Sequence, residues 1–295
     1  MKKLLLIDGD ELVYKASFAS QHTEYNIKDE SGNIVHTARY KSDAVEWIGN
    51  DSYEIDPVQI IAEPSVAQYS LFSILNEIFS NNEYDDYKIY FSGKNNFREG
   101  LATILPYKGN RDGSEKPFYY DQVKDLLKDE YGGTVVDGIE ADDALSIMQW
   151  QTILSDALWE TTIVSQDKDL MMVPGWHYNP TKSSRTFQTY DQAKFCFYKQ
   201  LLTGDSTDNI HGIYRMGEKT AVKILTPYLE ASEGVLNIVV LKEYANAHRN
   251  PKIIENMPLG TSIPPESRMR EVGRLLWMLQ DRGQLWCPAE RYYEK

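Results

Sequence analysis

Short apolar runs alternate with amphipathic stretches over the first two thirds of the chain, and this pattern predicts strands that alternate with helices. The run LLLID at 4–8 is typical of a buried parallel strand with an acid, Asp8, at its carboxyl end. The same reasoning predicts, in chain order, a helix over 11–20, a helix over 64–79, a strand over 88–92, a helix over 118–131, a strand over 134–138, a helix from 140 and a strand over 161–165.

Residues 24–40 have a different pattern, with apolar and polar residues alternating on both sides of Ser31-Gly32-Asn33. Such alternation around a glycine-bearing turn predicts a β-hairpin inserted early in the fold. Such a hairpin can form a contact surface or cover a sheet edge.

Strands that alternate with helices predict an α/β fold with a mostly parallel central sheet flanked by helices. From about residue 190 the pattern becomes mostly helical, with helices expected over 190–203, 218–226, 232–248 and 265–281. We therefore expect an α/β domain over 1–188 and a helical region over 189–295. Residues 256–267 are expected to be a loop.

Composition limits the class of protein. Hydrophobic residues make up 42% of the 295 positions, which is enough for a sizeable core, and no apolar run is long enough to span a membrane. The two cysteines, Cys196 and Cys287, are too few for a disulfide framework or a four-cysteine zinc site. These features predict a reduced, cytoplasmic protein that does not associate with a membrane.

The net charge of −13 argues against binding to nucleic acid, unless many acids belong to one site. Nine carboxylates fall into four clusters, and without them the net charge would be −4. The clusters are Asp8 with Asp10, Glu140 with Asp142 and Asp143, Asp167 with Asp169, and Asp205 with Asp208.

Each cluster alone has an ordinary explanation, because acids favour the first turn of a helix and Ser or Asp caps helices. Together, carboxylates at one sheet edge would repel each other, and divalent cations offset such repulsion. The five histidines show no ligand spacing, so oxygen ligation favours Mg²⁺ or Mn²⁺. Two such ions could activate water and stabilise the leaving oxygen of a phosphodiester.

A basic segment over residues 94–111 contains Lys94, Arg98, Lys108 and Arg111 against Glu99. Tyr107 precedes Lys108, so a ring that can stack on a base lies beside cations that can hold phosphate. A solvated basic loop is the ordinary alternative.

The stretch over 210–225 predicts a helix, a tight turn and a second helix, with Gly212 and Gly217 bracketing the turn. The second helix would offer free N–H groups beside Lys219 and Thr220, an arrangement that binds phosphate without reading sequence. Carbonyl groups of such a turn can also hold K⁺. The alternative is a plain corner between two helices.

The ordered set of motifs resembles the 5′-nuclease family of flap endonucleases and 5′→3′ exonucleases, and looks closest to the T7-type bacteriophage enzymes. The motifs are LLIDGD ending at 10, YKGNRD (107–112), GIEADDALS (138–146), SQDKDLM (165–171), GDSTDNIHGI (204–213) and MGEKTA (216–221).

The resemblance implies a role for each matching residue. Metal binding is implied for Asp8, Glu140, Asp142, Asp143, Asp167 and Asp169, with Asp205 and Asp208 completing the more distant metal environment. Lys108 and Arg111 would stabilise charge on the scissile phosphate, and Tyr107 would stack at the strand end. A DNA-binding helix–turn–helix would cover 204–226 and include Gly212, Gly217, Lys219 and Thr220.

Three departures from the family pattern stand out. Ser92 occupies a strand end where many relatives have an acid, and Arg215 lies where a glycine is usual. Arg215 could itself contact phosphate. Only 28 residues lie between Arg111 and Glu140, and this span allows one helix, so we expect a reduced arch or a more open gateway in the region 93–133.

The hairpin over 24–40 could contact DNA, contact a replication protein or cover a sheet edge. The motifs and the family resemblance together imply a Mg²⁺-dependent 5′→3′ exodeoxyribonuclease that also removes flaps and RNA primers, in an RNase H-like manner, during phage DNA replication in the host cytoplasm. Its substrates would be DNA with 5′ ends and RNA–DNA hybrids. The alternatives are a haloacid-dehalogenase-type phosphatase, with Asp8 as nucleophile and Asp10 as acid, a catalytically inactive DNA-structure-binding protein, and a PIN-type ribonuclease. Trp277, Trp286, Tyr292 and Tyr293 are predicted to pack in the core.

Overall fold

The computed structural model describes residues 1–49, 51–111, 113, 115–155 and 158–288. Within these residues the chain forms two compact units. Unit 1 comprises Met1–Gly9, Asn81–Ser114 and Gly132–Lys295, and unit 2 comprises Asp10–Ser80 and Glu115–Tyr131. Tyr292 and Tyr293 lie outside the described residues, whereas Trp277 and Trp286 are buried as predicted.

The strands of the described chain are, in order, β1 (Lys2–Asp8), β2 (Gln21–Lys28), β3 (Ile34–Ala38), β4 (Glu54–Ile61), β5 (Asp86–Ser92), β6 (Thr134–Val136), β7 (Trp159–Val164), β8 (Gly175–Asn179), β9 (Ser184–Gln188), β10 (Gly204–Asp205) and β11 (Ile210–His211).

The α-helices of the described chain are, in order, α1 (Gly9–Phe18), α2 (Lys41–Ile48), α3 (Pro64–Asn81), α4 (Phe97–Leu101), α5 (Tyr120–Tyr131), α6 (Ala141–Leu154), α7 (Tyr190–Thr203), α8 (Glu218–Leu225), α9 (Glu233–Arg249), α10 (Pro251–Ile254) and α11 (Pro265–Leu276). Among the described residues, no helix combines the length and apolar character that crossing a membrane requires.

Unit 1 is built on a six-stranded sheet in the order β6-β5-β1-β7-β8-β9. All neighbouring pairs are parallel except β8 and β9, which form an antiparallel hairpin. Strand β1 lies at the centre, and Leu4 to Ile7 are almost completely buried because the strand is covered on both faces. This confirms the predicted α/β fold, and it brings the carboxyl ends of β1, β5 and β7 to one edge of the sheet.

Unit 2 contains a three-stranded antiparallel sheet in the order β3-β2-β4. Strands β2 and β3 form the hairpin predicted over 24–40, and the Asp29 carboxylate accepts hydrogen bonds from the N–H groups of Ser31 and Asn33 in its turn. Ile27, Ala38 and Ala44 form a small core beneath this sheet.

The sequence pattern did not predict some of the observed elements. These are α2, β4, α4, α10 and the β8–β9 hairpin. Helix α11 is also shorter than the predicted 265–281, because the backbone of Trp277 is extended and the helix ends at Leu276. Part of the predicted loop at 256–267 belongs to α11, which begins at Pro265.

The predicted domain boundary at residue 188 does not coincide with the division into units. Ile147 and Met172 on one side of it share a hydrophobic cluster with Phe197, Leu201 and Trp286 on the other. The helical region therefore packs in the same unit as the parallel sheet.

A substitution at Gly273 in α11 would test this packing, because a Cβ atom added there would lie 2.2 Å from the indole of the buried Trp286. Gly273→Ala should therefore lower the free energy of unfolding by about 1–3 kcal/mol, despite the better helix propensity of alanine. Gly100→Ala is the matched control, because nothing lies within 4 Å of its added Cβ atom in α4. Thermal and denaturant unfolding of both variants would measure the difference, and an unchanged Gly273→Ala would contradict the packing.

Candidate active site

Two strand ends bring the first carboxylates together. Asp8 ends β1 and is buried, and Ser165, which follows β7, places its hydroxyl 3.3 Å from Oδ2 of Asp8. The same hydroxyl accepts a hydrogen bond from the N–H of Asp167 at 3.0 Å. Asp167 in turn accepts the N–H of Asp169 at 2.8 Å, so a tight local turn orders the QDKD segment.

The next carboxylates lie at the start of α6. Glu140 is the N-cap residue, and its backbone N–H donates to Oδ2 of Asp143 at 3.1 Å. The N–H of Ala141 donates to the hydroxyl of Ser92 at 2.9 Å. Ser92, the departure from the family pattern, therefore satisfies a free N–H group of the helix terminus.

The surroundings of Asp142 disfavour the charged form of its carboxyl group. Burial, and then the charges of Asp8, Asp167 and Glu140, raise the pKa of its carboxyl well above the usual range. Its Oδ1 atom is buried, and no donor among the described residues forms a hydrogen bond with it. A buried carboxylate oxygen without a donor, close to other carboxylates, is a position that a cation would stabilise.

Two further acids, Asp169 and Asp205, contact Gln200 in α7, a residue that no sequence pattern indicated. Its side-chain amide donates to Asp169 at 2.8 Å and to Asp205 at 2.9 Å, and so holds the two carboxylates close together. Loss of solvent, followed by the charges of Asp167 and Asp205, raises the pKa of Asp169 to about 7.

Asp205 is stabilised as an anion by its surroundings. Burial opposes its ionisation, but the N–H of Thr207 at 2.7 Å and the ammonium of Lys168 at 3.3 Å lower its pKa. Asp167 behaves in the opposite way, because desolvation and the charges of Asp208 and Asp205 raise its pKa despite the Asp169 N–H.

The predicted phosphate-binding cations contact these acids directly. The ammonium of Lys108 binds Glu140 and lies 3.6 Å from Asp208, and the guanidinium of Arg111 lies 2.6 Å from Asp208. Although burial raises the pKa of Glu140, the charges of Lys108 and Arg98 outweigh it and lower that pKa overall. The backbone of Lys108 has a left-handed φ of 55°.

Tyr107 occupies a position between the same acids. Its phenol oxygen lies 2.8 Å from both Glu140 and Asp208, and its ring packs against the main hydrophobic cluster of unit 1. Burial, together with these carboxylates, raises the pKa of the phenol. The ring is thus partly buried against the protein, and the stacking at a strand end that the family resemblance implies stays a prediction.

Asp143 forms a buried ion pair with Arg98. The guanidinium makes two hydrogen bonds to the carboxylate, at 2.6 and 2.9 Å, and both side chains are almost completely buried. Arg98 also donates to the carbonyls of Leu275 and Trp277, each at 2.8 Å. Arg98 is thus a structural cation, although its place in the basic segment suggested an exposed one.

The predicted first helix of the 210–225 stretch is wrong. Ile210–His211 instead pair with Gly204–Asp205 as a short antiparallel ribbon, because Gly204 and Gly212 lack side chains and let the two backbones approach. The helix that precedes the turn is α7, so the turn joins α7 to α8 through this ribbon.

The start of α8 is exposed, as the phosphate-binding prediction requires. Gly217 is its N-cap, and Lys219 and Thr220 are exposed in its first turn. Arg215 precedes them with a left-handed φ of 62°. Gly212 is buried, which suits a role in backbone packing.

A cleft of about 240 Å³ connects the start of α8 with the acids. Its lining includes Asp169, Gln200, Lys168, Lys199 and Gly217. Among the described residues, no three carboxylate, histidine or cysteine groups converge as a complete metal-ligand set. Three of the predicted metal ligands, Glu140, Asp143 and Asp208, are instead paired with Lys108, Arg98 and Arg111.

Comparison with known proteins decides the family. No protein-family model matches the chain. A 5′-3′ exonuclease of Buchnera aphidicola subsp. Schizaphis graminum is 31% identical over 243 residues, which cover 77% of this chain and 71% of that protein. The chain belongs to the 5′→3′ exonuclease family.

This exonuclease-family chain is also similar to part of a larger enzyme. DNA polymerase I of Streptococcus pneumoniae serotype 4 is 26% identical over 243 residues, which cover 76% of this chain and 24% of the polymerase. The chain thus spans about a quarter of the length of that relative. The family assignment confirms the predicted nuclease class of enzyme and decides against the phosphatase alternative.

Solved structures share the fold of this exonuclease-family chain. T5 5′-exonuclease with divalent metal ions (zinc) bound has a TM-score of 0.53 at 16% identity, covering 93% of this chain and 89% of that one. A pseudo-enzyme-product complex of bacteriophage T5 flap endonuclease with DNA and metal ions has a TM-score of 0.51 at 16% identity, covering 92% and 89%.

Adjacent acids in α6 should respond oppositely to loss of charge. Asp142→Asn should raise the free energy of unfolding at pH 8 without divalent ions by about 1 kcal/mol or more, because a buried charge among like charges is removed. The gain should shrink as pH falls through the raised pKa, where the native carboxyl becomes neutral. Asp143→Asn should lower the same free energy by about 3 kcal/mol, because Arg98 loses its buried counter-charge. Denaturant unfolding at pH 8 and pH 5 would measure both effects, and equal changes in the two variants would contradict this assignment.

Proposed function

We propose that this exonuclease-family chain hydrolyses phosphodiesters near the 5′ ends of duplex, gapped or branched DNA, and that it depends on Mg²⁺ or Mn²⁺. The observation that carries the metal proposal is the buried Oδ1 atom of Asp142, which has no donor among the described residues and lies in the field of Asp8 and Asp167. The ligand atoms are carboxylate oxygens, which favour hard divalent ions.

The carboxylates divide into two groups that would hold two ions. Asp8, Asp142 and Asp167, with Glu140, would hold one ion. Asp169 and Asp205, with Asp208 nearby, would form the environment of the other. Asp143 is the exception, and we assign it a positioning role because Arg98 and two backbone N–H groups occupy its oxygens.

The chemistry divides between the ions and the protein. The ions would supply Lewis-acid activation of a water molecule and stabilisation of the leaving oxygen. Lys108 and Arg111 would stabilise negative charge on the scissile phosphate, for which they must exchange their contacts with Glu140 and Asp208. Tyr107 would bridge these two acids through its phenol oxygen and so fix the distance between them.

Binding of the DNA strand would use the start of α8. The N–H groups of its first turn, with Lys219, Thr220 and the preceding Arg215, form an exposed surface suited to phosphate. These contacts reach backbone atoms of DNA, so cleavage should depend on the structure of the end more than on base sequence.

The finer parts of the proposal follow the family resemblance. They are removal of flaps and RNA primers, action on RNA–DNA hybrids, binding of K⁺ by the turn before α8, contact with replication proteins, T7-type phage origin and a cytoplasmic location.

The central experiment measures whether cleavage of DNA requires Mg²⁺ and whether it starts at the 5′ end. The protein should release short products from a 5′-labelled duplex with Mg²⁺, and none with EDTA. Asp142→Asn should lower the rate at least about 100-fold, because it removes a charged ligand from the site. A 3′-labelled duplex in parallel would show the polarity. Intact DNA in every lane, together with tight binding to branched DNA, would instead favour the catalytically inactive binding protein.

Lys108 offers a second test with a control from the same segment. Lys108→Ala should lower kcat about 100-fold, because an electrostatic contact to the transition state is lost. Lys94→Ala removes an exposed cation of the same segment and should change kcat less than threefold. Steady-state rates on a 5′-flap substrate would measure both. Similar rates for the two variants would argue against a specific role for Lys108.

A further inference from the structure

The side chain of Glu271, in the middle of α11, binds the basic segment 94–111. Its Oε1 atom accepts the backbone N–H groups of Thr103 at 2.8 Å and Ile104 at 2.7 Å. Its Oε2 atom accepts the hydroxyl of Thr103. One carboxylate therefore satisfies three donors on two successive residues, and hydrogen bonds to a charged acceptor are stronger than neutral ones.

These donors lie in a part of the chain that lacks regular structure. Helix α4 ends at Leu101, and the next turn of helix is the 3₁₀ turn at Gly109–Arg111. Residues 102–108 therefore depend on contacts with other segments for their position. The Glu271 contacts lie three residues before Tyr107, and so immediately precede the side chains that bind Glu140 and Asp208.

Helix α11 contacts the same segment at a second point. Arg98 donates to the carbonyls of Leu275 and Trp277, where the helix ends. Both contacts join segments separated by about 170 residues of sequence. They hold the start and the middle of the basic segment against one rigid element.

We propose that Glu271 is a positioning residue for cleavage: it holds residues 103–104 in place and thereby sets where Lys108 and Arg111 meet the scissile phosphate. The inference rests on the proposed function, because those two cations act in cleavage only if the chain cuts DNA as proposed. A small displacement of a catalytic group can cost a large factor in rate, so loss of this contact should act on kcat.

The test compares three variants at Glu271 and Glu266. Glu271→Ala removes every acceptor and should lower kcat about tenfold on a 5′-flap substrate with Mg²⁺. Glu271→Gln keeps an Oε1 acceptor for both N–H groups and should stay within threefold of wild type. Glu266→Ala removes an exposed acid from the same helix and should match wild type.

Two further measurements separate positioning from a general loss of structure. Affinity for the same substrate in Ca²⁺, measured by fluorescence anisotropy, should change less than threefold in Glu271→Ala, since the start of α8 is untouched. Amide hydrogen exchange at Thr103 and Ile104 should accelerate at least tenfold in Glu271→Ala and stay unchanged in Glu266→Ala.

The outcomes are distinct. If wild type cleaves DNA and Glu271→Ala cleaves at the same kcat, the positioning role is overturned while the proposed function stands. An equal loss in Glu271→Ala and Glu271→Gln, or an equal loss in Glu266→Ala, also overturns it. If wild type gives no metal-dependent product, the proposed function fails and the inference fails with it.

Discussion

The buried ion pair between Arg98 and Asp143 joins three distant segments of unit 1 at one point. Asp143 lies in the first turn of α6, Arg98 in the basic segment, and the carbonyls that Arg98 also binds lie at the end of α11. Two charges out of water are tolerated only when their hydrogen-bonding groups find partners, and here the partners are supplied by all three segments. The relative positions of the acids and the basic segment depend on this arrangement.

Around that pair, the site contains charges of both signs at short range. Lys108 and Arg111 lower the energy of carboxylates that would otherwise repel one another, while Oδ1 of Asp142 has no hydrogen-bond partner among the described residues. The net charge of −13 is therefore a poor guide to DNA binding, because part of the acidic excess is concentrated within one site and faces its own cations.

Much of this arrangement was accessible from sequence, for a physical reason. Strand β1 is a continuous apolar run, and Asp8, Asp142 and Asp167 follow strand ends or begin helices, so topology alone places them at one edge. The β8–β9 hairpin was missed because strands of five residues are too short to show a clear period, and β4 was missed because Pro57 within it argues against a strand. Arg98 and Glu271 were missed as site residues because their partners are distant in sequence, and Gln200 was missed because a single glutamine in a helix has no pattern that indicates its contacts. The first helix of the 210–225 stretch was wrongly predicted because apolar residues that pack in a two-stranded ribbon can mimic helical spacing.

The left-handed backbone at Lys108 and Arg215 affects which substitutions the surface proposed to meet DNA would accept during evolution. Each of these two cations occupies a conformation that a glycine would adopt more easily, at a cost of about 1 kcal/mol or more for a residue with a Cβ atom. A mutation to glycine at either position would relieve that cost and remove a positive charge from the surface proposed to meet DNA. At Lys108 glycine would also lose the ion pair with Glu140, so stability alone would favour glycine only at the exposed Arg215. Arg215 therefore marks a position where a charge is present against the preference of the backbone.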